Sequence, residues 1–459
     1  MAPADRTEHD SLGEIAVPAS ALYGAQTQRA VNNFPISGLR MPARFLRALG
    51  LVKQTAALVN GELRELDAAR AGAIAAAAAE IAEGRHLEHF PVDVFQTGSG
   101  TSTNMNANEV IATLASRALG AAVHPNDHVN RGQSSNDTIP TALHVFAALA
   151  LRDALRPALV ELQEAILRRA AEHADVVKTG RTHLVDALPI RLDQELSAWA
   201  HHLALALERL AAATPHLLEL AQGGTAVGTG ANTHPEFGSR FAARLAERTG
   251  LAFRASRNPC ASLAVPDAAL GLHAALRGLA AALLKIVSDL RWMASGPHAG
   301  LAEISLPALQ PGSSVMPGKV NPVVPEAVAM ACMQVLGLDA ALALAAGSGS
   351  FQLHTAWPLL IWNVDLSLTL LTNGARVLAE RVVGGFTVDR ARLAAQVAHN
   401  PMLATALAPR LGYERAAEIA QRAYREGRPV RDVALELSGL DAETLDRLLD
   451  PRRLTEPSA

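Results

Sequence analysis

This chain of 459 residues has few aromatics, little cysteine and almost no net charge. Phe, Trp and Tyr together make up 4% of it. Sheet-rich proteins lean on aromatic and β-branched side chains, so this scarcity, beside abundant Ala, points to closely packed helices. The two cysteines, Cys260 and Cys332, form no spacing motif. That argues against a disulfide framework or a thiolate zinc site and leaves a reducing, cytoplasmic compartment as the expectation. A formal net charge of -3 offers neither a basic nucleic-acid footprint nor an acidic tail. The stretch from Met1 to Asp10 is polar and carries Asp5, Glu8 and Asp10, unlike a secretion signal or an acid-poor transit peptide. Long uninterrupted apolar runs are missing as well. The most apolar stretch, Ala268 to Val287, is broken by His273, Arg277 and Lys285, which reads as a buried helix and not a membrane span.

What is present is a large interior: 49% hydrophobic residues against 19% charged ones, in a chain long enough for two or three domains. Helical spacing of apolar residues runs from Arg44 to Glu83, closed by Gly84. Beyond Pro140 come long apolar-periodic stretches: Thr141 to Ala174, Leu192 to Leu220, Pro266 to Ser295, Pro325 to Ala346 and Pro358 to Val383. Long helices with little outward charge suit the buried core of a bundle, one shared between subunits. After Gly384-Gly385 the chain becomes more charged and its elements shorter. The expected division is a mixed helical domain over 1–137, a long-helix bundle over 138–387 and a small helical domain over 388–459.

Four loops concentrate Ser, Thr, Asn, His and Lys: Thr97–Asn108, His124–Asp137, Lys178–Asp186 and Gly312–Asn321. The last is the most informative. Gly312-Ser313-Ser314-Val315-Met316-Pro317-Gly318-Lys319-Val320-Asn321-Pro322 cannot be a good helix or a central strand. It offers a nucleophile or base (Ser313 or Ser314), a cation (Lys319) and a neutral amide (Asn321). Those groups can pull a proton from carbon beside a carboxylate and hold the resulting charge. Ser99 and Thr101, in Gly98-Ser99-Gly100-Thr101, could bind a carboxylate or cap a helix starting near Asn104. Ser134-Ser135-Asn136-Asp137 precedes a long helix and could do both, because helix N-termini attract carboxylates. Thr182-His183, followed by Asp186, places a titratable imidazole in a polar turn. Glu326 opens the helix after the serine loop, where it could polarise a histidine or favour the helix N-terminus.

Two motifs carry less. Gly223 to Gly230 follows a helix and lacks the Gly-Lys-Ser/Thr ending of a phosphate loop. His124 and His128 are four apart, but Pro125 argues against a helical metal pair. No ligand set calls for a metal.

Together these loops resemble class II fumarases of the fumarase/aspartase superfamily. The likeness runs from Gly13-Glu14 and Tyr23-Gly24-Ala25-Gln26-Thr27-Gln28-Arg29-Ala30 to Leu411-Gly412-Tyr413, with the Gly-Ser-Ser…Met-Pro…Lys…Asn-Pro signature the most specific part. The resemblance implies a mainly α fold of three helical domains whose long helices form a twenty-helix core in a homotetramer, each active site shared by three subunits. It implies reversible hydration of fumarate to (S)-malate without a cofactor. Ser313 would be the base, with His183, Lys319 and Glu326 completing the catalytic set. Ser99, Thr101, Ser134, Ser135, Asn136, Thr182, Ser314, Lys319 and Asn321 would bind the dicarboxylate, and His124, Pro125, Asn126 and Asp127 would form a second dicarboxylate site.

Within the superfamily, Gly318 before Lys319, Ser134-Ser135-Asn136-Asp137 and Thr97-Gly98-Ser99-Gly100-Thr101 are similar to fumarases, whereas Val323-Val324-Pro325-Glu326 leans towards aspartases. The alternatives are therefore an aspartate ammonia-lyase and a non-catalytic dicarboxylate-binding homologue. Several residues depart from the fumarase pattern: Gln352 and His354 where Glu and Asn are usual, Asp193 for Gly, Arg131-Gly132 before Gln133, and Ala408 for Asn. None removes a proposed catalytic group.

Overall fold

The computed structural model describes residues 5–457 and is mainly helical. Met1–Ala4, part of the polar start read above, lie outside the described residues. A hairpin of β1 (Asp5–Asp10) and β2 (Gly13–Pro18) leads into α1 (Ala25–Asn33). Where apolar spacing predicts one helix from Arg44 to Glu83 there are two, α2 (Ala43–Glu62) and α3 (Ala68–Ala82). The break is local chemistry. Arg64 turns to φ +61, and the Asp67 side chain caps α3 by accepting the Arg70 N–H at 2.9 Å. Next come α4 (Thr101–Leu119), α5 (Ser135–Ala150) and α6 (Arg156–Glu172), the last two joined through a π-helical turn at Leu151–Leu155.

An antiparallel hairpin of β3 (Val177–Thr182) and β4 (Val185–Arg191) runs into α7 (Leu192–Leu217). The two-residue strands β5 (Glu219–Leu220) and β6 (Arg254–Ala255) pair in parallel, with α8 (Phe237–Thr249) between them in sequence. After α9 (Pro259–Ala264) and α10 (Asp267–Met293), β7 (Ile304–Ser305) pairs with β8 (Thr387–Val388). Between these lie α11 (Val323–Ala346) and α12 (Trp357–Leu378). The long periodic stretches of the sequence thus become α5 to α7 and α10 to α12, with ends displaced by a few residues.

The chain divides into two compact units. The first comprises residues up to Arg156, Leu207–Ala280 and Met333–Leu371. Its core includes Phe45 and Phe146, whose rings meet edge to face at 6.1 Å, and the fully buried Leu49, Val52 and Ile74. Each such side chain contributes about 1.5–3 kcal/mol on leaving water. A buried polar set also lies in it. His273 Nδ1 meets Asp339 Oδ1 at 2.9 Å, His273 Nε2 meets Ser367 Oγ at 2.9 Å, and Arg277 pairs with Asp339 at 2.8 Å. Two of the residues that interrupt the most apolar stretch of the sequence therefore have protein partners, as a helix-bundle core requires. By length and composition alone, α10 and α11 are apolar enough to cross a membrane; half and one third of their most apolar windows are buried in the protein.

The second unit comprises Pro157–Ala206, Ala281–Cys332 and the chain from Thr372 onward. Within it the fully buried Trp199 donates its indole N–H to Asp289 at 3.1 Å. Towards its end, α13 (Arg390–Ala398), α14 (Ala408–Leu411), α15 (Tyr413–Glu426), α16 (Val430–Leu437) and α17 (Ala442–Leu448) enclose a small core of their own, centred on Leu407, Ile419, Val430, Val433 and Leu445.

Candidate active site

The serine loop is an ordered, exposed turn. The Gly312 N–H donates to the Lys319 carbonyl at 2.9 Å, and the Asn321 side-chain amide donates to the Gly312 carbonyl at 2.6 Å. A Cβ on Gly312 would stand 2.4 Å from the Lys319 oxygen, so only glycine permits this closure. Inside the turn, Ser313 Oγ accepts two backbone N–H groups, from Val315 at 3.1 Å and Met316 at 2.9 Å. Two donors aimed at one hydroxyl oxygen stabilise negative charge there, as a serine alkoxide needs. Ser314, Lys319 and Val320 face solvent, and Glu326 is exposed in the first turn of α11.

In the same unit Thr182 ends β3 and His183 begins the turn to β4. His183 and Leu184 take φ +57 and +62, the left-handed pair of a two-residue hairpin turn, without the usual Asn or Gly. Such residues are strained by roughly 1–3 kcal/mol each. The tip is exposed, with Leu184 65% and Val185 66% accessible. Its base is held by Glu303, which is fully buried. One Glu303 oxygen meets Arg181 at 2.5 Å and the other meets Lys178 at 2.6 Å, while Lys178 also reaches Glu195 at 2.6 Å. Two cations of β3 are therefore fixed on one carboxylate just before Thr182. Neither His183 nor Glu326 forms an ion pair among the described residues.

The first unit holds the other polar loops. Ser99 Oγ and Thr101 Oγ1 bond each other at 2.7 Å. The N-cap of α4 is Gly100, at φ +75, with no side-chain cap. The capping alternative for Ser99 and Thr101 is thus removed, and the helix begins at Thr101 instead of near Asn104. Gly98 has no room for a side chain: a Cβ there would lie 1.8 Å from the Thr355 carbonyl oxygen. At α5 the capping role is present. Ser134 Oγ accepts the Asn136 N–H at 3.2 Å, and Asp137 accepts the Ser134 N–H at 2.9 Å. Capping leaves Ser135 and Asn136 to other partners. Ser135 Oγ accepts from Asn104 at 3.0 Å, and the Asn136 amide donates to the Ala226 carbonyl at 2.8 Å.

Beneath this loop are two buried ions that the sequence reading did not select. Lys53 of α2 is fully buried and donates to Asn130 Oδ1 and Gln133 Oε1, both at 3.0 Å. Desolvation pushes its ammonium down to about 7, with the Asp137 carboxylate opposing. Asp137, also fully buried, accepts the N–H groups of Gly223 at 3.0 Å and Thr225 at 2.9 Å besides that of Ser134. Burial pushes its carboxyl above the usual range, against those hydrogen bonds. The glycine-rich 223–230 loop thus braces Asn136 and Asp137. Lys53 was legible in principle: it falls at helical spacing from Leu46 and Leu49, on the apolar stripe of α2.

The His124–Asp127 segment forms a single π-helical turn capped by His124, whose Nδ1 accepts the Asn126 and Asp127 N–H groups at 3.3 and 3.1 Å. His124, Pro125 and Asn126 line a cavity of about 850 Å³ with Arg6, Glu109 and Arg117. The departures noted in the sequence lie mostly off the site. Asp193 pairs with Arg191, and Arg131 with Glu65. His354 is fully buried, next in sequence to the Thr355 whose carbonyl meets Gly98. Its Nε2 bonds the Ala345 carbonyl at 2.8 Å and its Nδ1 accepts the Ala356 N–H at 3.2 Å, while burial lowers its pKa and favours the neutral ring.

Comparison with known proteins gives the family. The lyase family model matches residues 13–337, and the fumarase C C-terminal model matches residues 403–456. The chain belongs to that lyase family. More narrowly, its likeness is to class II fumarases. It is 55% identical over 450 residues to fumarate hydratase class II 2 of Pseudomonas aeruginosa, covering 98% of each chain. It is 53% identical to a class II fumarate hydratase of Xylella fastidiosa, covering 98% of this chain and 95% of the other. The crystal structure of class II fumarase from Schistosoma mansoni superposes with a TM-score of 0.96 at 36% identity, over 99% of this chain and 100% of that one. A fumarate lyase:delta crystallin from Brucella melitensis bound to cobalt superposes with a TM-score of 0.94 at 43% identity, over 99% and 100%.

Proposed function

We propose that this chain is a fumarate hydratase, interconverting fumarate and (S)-malate as in the tricarboxylic acid cycle. The observation that carries the reading is the Ser313 oxygen held by two backbone N–H groups, in a loop that also bears Lys319 and Asn321. Near-full-length likeness to class II fumarate hydratases supports it. Ser313, as the alkoxide, takes the proton from C3 of malate. The electron pair left behind makes an aci-carboxylate, which Lys319, Asn321 and the hydroxyl and amide donors of Ser99, Thr101, Ser134, Ser135, Asn136, Thr182 and Ser314 stabilise. The C2–O bond then breaks, and the hydroxyl leaves as water on receiving a proton handled by His183, with Glu326 as its carboxylate partner in the assembled site. Charge is met by protein donors throughout.

On this reading the chain works as a cytoplasmic homotetramer, with each active site drawn from three subunits and three domains at 1–137, 138–387 and 388–459. The exposed apolar side chains Met330, Met333 and Leu344 of α11 and the bare hairpin tip support association, because a long helix leaves such a face uncovered only when another chain covers it. The turn at His124–Asp127 serves as a second dicarboxylate site. Absorbance in the fumarate band, followed with malate and then with aspartate, tests the assignment. Signal from malate is expected; signal from aspartate alone would replace hydratase by ammonia-lyase, and signal from neither would leave a non-catalytic homologue. Sedimentation of a fully active monomer would overturn the shared site.

A further inference from the structure

We infer that Lys53 is a positioning residue for dicarboxylate binding: its buried ammonium holds the Asn130–Gln133 turn, and through it Ser134, Ser135 and Asn136, in register for the substrate. The inference rests on the proposed hydratase reading for its substrate, but its geometry stands on the first unit alone. Lys53 touches no candidate substrate group. It sits in the middle of α2 with no exposed surface. Asn130 Oδ1 accepts three donors, from Lys53 at 3.0 Å, Asn104 at 3.2 Å and Asn108 at 3.1 Å. The Asn130 amide in turn donates to the Gln133 carbonyl at 3.1 Å. Gln133 accepts from Lys53 and donates to the Val129 carbonyl at 3.0 Å. The Arg131 carbonyl is tied to α2 by Asn60 at 2.8 Å. Asn104 then carries the network to Ser135 Oγ. One side chain thereby fixes both ends of the turn whose next three residues are the candidate carboxylate ligands.

A buried cation is a costly way to hold a loop, and an apolar residue would pack there without that cost. The bonds of Lys53 to Asn130 and Gln133, directly under a polar loop, are the mark of a geometric role. Binding groups misplaced by about an ångström lose on the order of a hundredfold in effectiveness.

The test uses the full-length protein with Lys53→Met, which keeps the length and apolar stem, and Lys53→Gln, which keeps one donor. The expected result for Lys53→Met is a KM for malate raised about tenfold or more, with kcat lowered as well because the displaced donors also meet the aci-carboxylate. Hydrogen exchange of the amides from Asn130 to Asn136 should quicken about tenfold, with α2 and α3 unchanged. Lys53→Gln should fall between wild type and Lys53→Met in both readouts. An unchanged KM, or a rise in exchange spread evenly over α2 to α5 with none centred on the turn, would reduce Lys53 to a structural residue and overturn the inference. Should Lys53→Met fail to fold, a wild-type KM and wild-type exchange in Lys53→Gln would overturn it equally. If the wild-type protein does not turn over malate, the hydratase reading fails, and the exchange measurement still decides whether Lys53 holds the turn.

Discussion

Replacing Lys53 by Met should leave the protein at least as stable as wild type at pH 7, even as it weakens substrate binding. The magnitudes decide this. Bringing an ammonium from 10.5 to about 7 corresponds to a desolvation penalty on the order of 5 kcal/mol at pH 7. Loss of its hydrogen bonds works the other way. Asn130 Oδ1 keeps its bonds from Asn104 and Asn108, so only Gln133 Oε1 is stranded, at about 1–3 kcal/mol. The balance favours Met by roughly 2–4 kcal/mol once its packing is counted as neutral. The sign with pH follows from the depressed pKa. The folded state gives up its proton before the unfolded one, so wild-type stability from this group is full above the unfolded value of 10.5. It is lost as pH falls towards about 7. The advantage of Met should therefore shrink from pH 7 to pH 10. Urea unfolding at these two pH values, at one fixed protomer concentration, measures both the difference and its slope. A variant less stable by about 2 kcal/mol or more at pH 7, with the wild-type pH slope, would refute the desolvation argument.

Ser313→Ala should reduce turnover of malate by about a thousandfold, within the range of general base catalysis, while the thermal unfolding midpoint stays put because the hydroxyl is in an exposed loop. Glu303→Gln removes the charge that holds Lys178 and Arg181, and should lower stability by about 3–5 kcal/mol in chemical denaturation and mobilise the Thr182–His183 turn in hydrogen exchange. Asp339→Asn should destabilise by about 1–3 kcal/mol, since it breaks the bonds to His273 and Arg277. Ser367 is fully buried, so despite its serine–histidine–aspartate arrangement it should resist a fluorophosphonate probe, as followed by mass spectrometry.

The helices were legible in the sequence because their apolar spacing is strong, and the class of site because its polar residues cluster against an apolar background. Boundaries were less so. The α2–α3 break rests on one left-handed arginine and one aspartate cap, neither of which interrupts the alanine-rich periodicity. The α5–α6 run reads from Thr141 in the sequence because Pro140 looks like a boundary, whereas Ser134 caps the helix and Pro140 lies inside it, at the cost of one backbone hydrogen bond. Ser99 and Thr101 looked as much like caps as ligands until Gly100 took the cap position. What the sequence could not convey was support at a distance in the chain. Asp137 meets Gly223 and Thr225, and Lys178 meets Glu303, through contacts that no local pattern encodes.

These supports have a common form. In the first unit the Ser134–Asn136 loop stands over buried Lys53 and buried Asp137. In the second, the Thr182–His183 turn ends a strand whose two cations close on buried Glu303. Buried ions seldom add net stability, because desolvation offsets most of their attraction. They do penalise any rearrangement that parts them, since a separated buried charge costs several kcal/mol more than the pair. A loop tied to such a group has fewer low-energy alternatives than one packed on oil. For a reaction that must meet an aci-carboxylate with several donors at once, narrowing those alternatives is worth more than the stability given up, because charge stabilisation depends on donors already in place when the proton leaves.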